Sequence, residues 1–363
     1  MGLAVVRSLG APKRLQSSQD VGDFEQELVD QFLLASIASG YSDAKVGDDR
    51  AVLFEFSRFL GRPLWTAEPA DADRFLVLQR RTGLARSTVV GKVGTLAQFY
   101  DFLLLRYQGD IHTLTGYVVV QPIDEYNRPA KAEHGAARVP PRIDEVQVLF
   151  EGWRQGLPQV RKYLPAARDY LAASLWRRAG LRINETVMLD IRDWRPDLGE
   201  FGKLHVRFGK GSRGRGVKPR MAPGINGVAA LIGWWLTDVR HQFGDDWQRP
   251  DAPLLPSERH DPHTGFCRRV GANALRDGLA DAVRRWLPAW QGRLTPHGLR
   301  HFCASSLYLQ GMDLKAIQEL LGHEWLSTTT RYIHVHGEHV EQAWAMSNQR
   351  VAARLARGGE ATA

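Results

Sequence analysis

Between Leu294 and His334 the chain reads LTPHGLRHFCASSLYLQGMDLKAIQELLGHEWLSTTTRYIH, and four of its side chains could do chemistry together. His297 and Arg300 lie three apart behind Thr295-Pro296, so both project from one face at the start of a helix. Gly311 and Gly322 end two helical segments, with Leu314, Ile317, Leu320 and Leu321 at helical spacing between them. His323 follows Gly322 directly. Ser327, Thr328 and Thr329 suit the opening of another short helix, which places Tyr332 about one turn inside it. An arginine binds and neutralises an anion, a histidine moves protons near neutral pH, and a tyrosine hydroxyl can act as a nucleophile when assisted. At the ends of short helices these groups can converge on one site.

The pieces His297-Gly-Leu-Arg300, Leu320-Leu321-Gly322-His323 and Ser327-Thr328-Thr329-x-x-Tyr332 resemble the C-terminal active-site signature of the tyrosine recombinase (phage integrase) family. Arg300 to His323 is 23 residues and His323 to Tyr332 is nine, spacings the family uses. An H-x-x-R pair alone is a weak signal; the three pieces in order are specific. The resemblance extends upstream. Leu181-Arg182-Ile183-Asn184-Glu185 is similar to the motif that holds the family's first catalytic arginine, which makes Arg182 the candidate and Glu185 its supporting neighbour. The alternative is a structural Arg182–Glu185 salt bridge. Gly209-Lys210-Gly211 resembles the glycine-flanked turn that carries a catalytic lysine on a β-hairpin. Lys218 and Lys203 remain lesser candidates, and Tyr308 is the nearest alternative to Tyr332.

The resemblance implies a reaction. A phosphodiester resists attack because its charge repels nucleophiles, and two arginines, Arg182 and Arg300, would neutralise the non-bridging oxygens in the transition state. A tyrosine hydroxyl titrates near pH 10, so it needs help at neutral pH. His297 would accept or relay the Tyr332 proton, His323 would hydrogen-bond the scissile phosphate, and Lys210 would protonate the departing 5′ oxygen. Tyr332 would carry a 3′-phosphotyrosyl link that a 5′ hydroxyl of the partner strand resolves. By the same resemblance no metal or nucleotide cofactor is required. The partner is double-stranded DNA with specific core sites, bound by a homo-tetramer on two sites or a hetero-tetramer with a paralogue, through a Holliday junction.

The elements that must position these groups read mostly α with a small β-sheet. Residues 1–19 form a mildly basic arm. Four helical patterns fill 20–120: one through Phe24, Leu28, Phe32 and Leu33; one capped by Asp43 and stopped at Gly61; one over 73–81, stopped at Gly83; and one capped by Ser87 that carries Val89, Val93, Leu96, Phe99, Tyr100 and Leu103. Such a helical domain is similar to the core-binding (SAM-like) domain of the recombinases. Arg80, Arg81, Arg86, Ser87, Thr88 and Lys92 cluster at the start of the fourth helix, either as a solvated face or as contacts to DNA phosphates. Prolines, glycine and small residues over 121–141 predict an interdomain linker. A mixed α/β catalytic domain occupies 142–337, with Asp144 capping its first helix and a further helix over 169–179. Residues 203–208 alternate like a strand, and 217–221 can pair with them. The intervening turn is rich in glycine and arginine. Seven basic residues and no acidic one lie between Phe201 and Arg220, which adds Arg207, Arg213, Arg215 and Lys218 to the candidate DNA contacts. Residues 221–242 read as helix, 245–265 as loop and 273–286 as helix. Residues 338–363 form a C-terminal helix and tail. His260, Asp261 and His263 lack the helical spacing or cysteine partners that a metal site would show.

Composition sets outer bounds. The net charge of +8 suits a polyanionic partner. Arginines outnumber lysines 39 to nine. That bias favours bidentate phosphate contacts but would also follow from a GC-rich genome. Two cysteines without metal-like spacing predict a reducing compartment, no apolar run reaches the length of a membrane span, and no signal-peptide h-region precedes the first helix, so the expected location is cytoplasmic, with the DNA. Two other functions share part of this pattern. A type IB topoisomerase-like enzyme would relax DNA as a monomer, and a catalytically dead DNA-binding regulator would form no covalent adduct.

Overall fold

The computed structural model describes residues 15, 17–129, 139–209 and 218–322. The chain divides into two compact units, the second beginning at Ala136.

Among the described residues, the elements of the first unit are all helical. Helices α1 (Ser18–Ala38), α2 (Asp43–Leu60), α3 (Pro69–Arg81), α4 (Arg86–Arg106) and α5 (Gln108–Thr115) enclose one apolar core. Its centre is aromatic: Phe56 meets Phe75 edge-on at 5.0 Å, Phe99 meets Tyr100 at 5.4 Å, and the Tyr100 hydroxyl donates to the Leu64 carbonyl at 2.7 Å. Each such ring contributes about 2–3 kcal/mol by leaving water. The helix starts differ from the sequence expectation. Ser42, not Asp43, caps α2, and α4 begins at Arg86 behind Ala85, so Ser87 lies in its first turn instead of capping it. Helix α3 starts at Pro69, where the fixed φ of proline suits a first turn. The fifth helix was not expected. Its one buried apolar residue, Ile111, gives no periodicity to read. The middle of the 121–141 stretch lies outside the described residues.

The second unit is built around α7 (Tyr163–Ala179), which is longer than the 169–179 the pattern suggests. Leu171, Ala172, Ala173, Leu175 and Trp176 on α7 are fully buried. Packed against it are α6 (Ile143–Gly156), α8 (Ile183–Val187), α9 (Val228–Trp234), α10 (Ala272–Trp286) and α11 (Pro296–Leu309), while α12 (Leu314–Leu321) follows α11. The start of α6 is closed by Glu145, which accepts the Arg142 N–H at 2.7 Å, so Arg142 and not Asp144 holds the cap position.

Strands β1 (Trp194–Arg195), β2 (Lys203–Val206) and β3 (Arg220–Pro223) form an antiparallel sheet in that order. The register pairs Leu204 with Ala222 and Val206 with Arg220, so the β2–β3 hairpin is shorter than 203–208 and 217–221 predict. Two further expectations are corrected. Met221 belongs to β3, and helix begins only at Val228; α9 then loosens into a π turn (Trp235–Val239) and a 3-10 turn (Arg240–Phe243). Trp235 Nε1 donating to the Leu254 carbonyl and the buried Arg240–Asp245 pair hold that irregular segment. The 245–265 stretch is not all loop: β4 (Pro256–His260) pairs with β5 (Cys267–Arg269). These short polar strands show no alternation that a sequence reading could use. Asp261 accepts the His263 and Thr264 N–H groups, so it shapes the connecting turn.

Candidate active site

Four helix ends meet at one carboxylate. Gly180 ends α7 with φ 61°, and a side chain there would lie 2.4 Å from Leu321 Cδ2, so the turn needs glycine twice over. The chain then passes directly to Arg182, which precedes α8. Glu185 closes that short helix by accepting the Arg182 N–H at 2.8 Å, and Arg182 Nη1 donates to Glu185 Oε1 at 2.7 Å. Trp176 Nε1 donates to Thr186 Oγ1 at 2.9 Å and pins α8 to α7.

Arg300 enters from the start of α11, whose Thr295 side chain accepts the Gly298 N–H. Its guanidinium is fully buried. Nη1 donates to the Gly180 carbonyl, Nη2 donates to the Leu321 carbonyl at 2.6 Å, and Nη1 lies 3.8 Å from Glu185 Oε2. The C-terminal ends of α7 and α12 thus both turn carbonyls toward this cation, as their dipoles favour. Arg182 and Arg300, 118 positions apart in the chain, therefore share Glu185.

A third arginine completes the cluster. Arg220, at the start of β3, donates from Nη1 and Nη2 to the two Glu185 oxygens, both at 2.8 Å, and from Nε to the Leu320 carbonyl at 3.0 Å. Sequence reasoning missed it. The available signal was its register: Arg220 pairs with the inward-facing Val206, so an arginine there must find a buried acceptor.

Burial alone would push the Glu185 carboxyl up, but the Arg220 fork, Arg182 and the Arg182 N–H outweigh it and hold it at about 2. A carboxyl depressed in the folded state stabilises above its unfolded value of 4.5, and that contribution is lost as pH falls from 4.5 towards 2. The shift corresponds to about 3 kcal/mol. Urea unfolding of the wild type should lose that much more stability than Glu185→Gln between pH 5 and about 2. Parallel pH curves would mean that Glu185 is not held as an anion.

His297 lies in the first turn of α11 and is exposed; its ring meets His301 edge-on at 4.6 Å. Lys210, His323 and Tyr332 lie outside the described residues, as do Arg213 and Arg215. The hairpin on either side of Lys210 is described: the Lys218 N–H donates to the Gly209 carbonyl at 2.9 Å, and Lys218 is exposed.

The proposed DNA contacts separate into two groups. Arg80, Arg81, Arg86, Ser87 and Thr88 are exposed where α3 ends and α4 begins. Lys92 is committed elsewhere: its ammonium donates to both Glu55 oxygens and to Gln79, each at 2.7 Å. Arg207 is likewise not placed as a surface contact. It forks onto Asp193 at 2.7 and 2.9 Å and also meets Asp190, which Arg269 holds from another side at 2.5 Å. The partners that satisfy these two residues are 13 to 37 positions away, beyond what local sequence spacing shows.

The model of the phage integrase family matches residues 157–339 of this chain. Tyrosine recombinase XerC of Vibrio vulnificus strain YJ016 is 28% identical over 274 residues, covering 74% of this chain and 73% of that protein. XerC of Chromohalobacter salexigens is 29% identical over 332 residues, covering 90% of this chain and 97% of that protein. Among solved structures, the XerH site-specific recombinase in a post-cleavage complex with palindromic difH substrate has a TM-score of 0.61 at 16% identity, covering 93% of this chain and 99% of that one. The Tn1549 transposon integrase bound to transposon right-end DNA has a TM-score of 0.60 at 16% identity, covering 90% and 99%. These two likenesses are of fold.

Proposed function

Because the chain belongs to the phage integrase family, we propose that Arg182, Lys210, His297, Arg300, His323 and Tyr332 carry out its reaction, with Glu185 in support. The protein is a site-specific DNA recombinase, which cleaves and rejoins DNA strands. One observation supports the residue assignment above others: Arg182 and Arg300, from distant parts of the chain, are held on a single buried carboxylate at the meeting of α7, α8, α11 and α12. An isolated Arg182–Glu185 salt bridge would need neither the Arg300 guanidinium beside it nor the Gly180 carbonyl turned inward.

In this reading the arginine pair neutralises the scissile phosphate, because charge placed in advance costs no reorganisation when the transition state forms. Tyr332 attacks phosphorus, His297 takes or relays its proton, His323 hydrogen-bonds a phosphate oxygen, and Lys210 supplies the proton that the departing 5′ oxygen needs. Attack by a 5′ hydroxyl of the partner strand reverses the step and reseals DNA.

The domain boundaries belong to the same proposal: a helical DNA-binding domain over 20–120 behind a 1–19 arm, a 121–141 linker, a catalytic domain over 142–337 and a 338–363 tail. Arg80, Arg81, Arg86, Ser87 and Thr88 supply phosphate contacts from the first domain, and Arg213, Arg215 and Lys218 from the second; Lys92 and Arg207 are withdrawn from that set. The partner is double-stranded DNA at core sites, bound by a tetramer of this chain or of this chain and a paralogue, in the cytoplasm.

Denaturant trapping in the host tests this reading. Sequencing of DNA that stays covalently attached to the protein should return a few discrete sites. Attachment scattered across the genome would instead indicate a topoisomerase-like activity, and no attachment a binding protein.

A further inference from the structure

We propose that Arg220 is a positioning residue of this active site, aiming Arg182 and Arg300 at the scissile phosphate by fixing the carboxylate and the helix end that hold them. The inference rests on the arginine assignment above.

Glu185 has two oxygens and must serve three arginines. Arg182 meets Oε1 with Nη1 at 2.7 Å and Oε2 with its backbone N–H at 2.8 Å, so only one of its two contacts comes from the guanidinium. Arg220 takes both oxygens at 2.8 Å, and a planar fork on a planar carboxylate fixes its plane. The orientation of Glu185 is therefore set by the helix cap and by Arg220 together, and the direction of the Arg182 guanidinium depends on Glu185. A second contact acts on the other arginine. Arg220 Nε holds the Leu320 carbonyl at 3.0 Å, and the next carbonyl along, that of Leu321, accepts Arg300 Nη2 at 2.6 Å. The turn that follows is fitted to the same side chain: Gly322 has φ 65°, and a Cβ there would lie 2.7 Å from Arg220 Cδ. His323, the residue given to the phosphate, comes next in the chain.

Charge points the same way. Arg182 and Arg220 against Glu185 would leave one net positive charge; with Arg300 the cluster carries two, which suits a phosphate gaining negative charge in its transition state. The Arg220 side chain is itself only 10% exposed, against 24% for Arg182. It is more enclosed than Arg182, as Arg300 also is. It also lies on β3, so it ties the β2–β3 hairpin to the arginine pair; Lys210 falls between those two strands in the sequence.

A neutral substrate separates aiming from folding. In a duplex carrying the trapped site, a methylphosphonate at the scissile position replaces one non-bridging oxygen by methyl and removes the charge the arginines oppose. Arg220→Met should slow cleavage of the ordinary site by about 10- to 100-fold, the scale of a misplaced catalytic group, and of the methylphosphonate site by less than about threefold. Arg220→Lys, which keeps the charge but not the fork, should fall between. The double variant Arg182→Ala/Arg220→Met should lose less than the product of the single losses, because the two act through one another. Equal slowing of both substrates, or multiplicative losses in the double variant, would overturn the inference. If Arg220→Met unfolds without cooperativity, Arg220→Lys decides by the same comparison. Arg182→Ala measured alongside keeps the two readings apart: if the neutral substrate relieves Arg182→Ala but not Arg220, the positioning role fails, and if it relieves neither, the arginine assignment fails.

Discussion

Replacing Tyr332 with phenylalanine is expected to leave the protein on its DNA site and to abolish the covalent adduct. The change removes one oxygen and keeps the ring. A phenyl ring has no nucleophile to offer, and no neighbouring group can replace a specific oxygen poised for in-line attack. Adduct formation on a nicked suicide duplex should therefore fall below detection, while the gel-shift affinity stays within about threefold, since phosphate contacts elsewhere supply most of the binding. Persistent adduct in this variant would mean that another tyrosine attacks. Tyr308 is the first to test, and it packs at the edge of the small core formed by Cys303, Leu307, Ile317 and Leu321.

The second large effect belongs to Lys210. If it protonates the departing 5′ oxygen, Lys210→Ala should lower cleavage of ordinary DNA by about 10²- to 10⁴-fold, the usual worth of general acid catalysis. A substrate with sulfur in the bridging 5′ position releases a thiolate, which leaves without a proton. Cleavage of that substrate by Lys210→Ala should return to within about tenfold of the wild type. If sulfur rescues Lys218→Ala and not Lys210→Ala, the acid is Lys218, which follows the same turn and is exposed. Excess EDTA should change neither result.

Much of this arrangement can be read locally. Arg182 and Glu185 are three residues apart, and their mutual bonds form within one turn. Gly180 and Gly322 mark helix ends because left-handed backbone favours glycine, and those two turns deliver the carbonyls that hold Arg300. The aromatic core of the first unit follows from the spacing of Phe56, Phe75, Phe99 and Tyr100 along amphipathic helices.

What stayed hidden depends on distant partners. Arg220 meets Glu185 35 positions away and Leu320 100 positions away, so only its register opposite Val206 sets it apart from the other basic residues of 201–220. Lys92 pairs with Glu55 and Gln79, and Arg207 with Asp190 and Asp193, so neither charge is left for a phosphate. A basic residue's neighbours in space decide whether its charge is available, and sequence spacing gives those neighbours only within a helix or a hairpin. The β4–β5 hairpin and the π turn after α9 escaped for a related reason, since tertiary contacts and not periodicity hold them.

The most direct test of the account is the chemistry of the trapped adduct. The wild-type protein, denatured on its suicide duplex and digested with protease and nuclease, should yield a modified peptide identifiable by mass spectrometry. The account predicts a nucleotide joined through its 3′ phosphate to the oxygen of Tyr332, with a free 5′ hydroxyl on the released strand. A nucleotide on any other residue, or one joined through a 5′ phosphate, would contradict it.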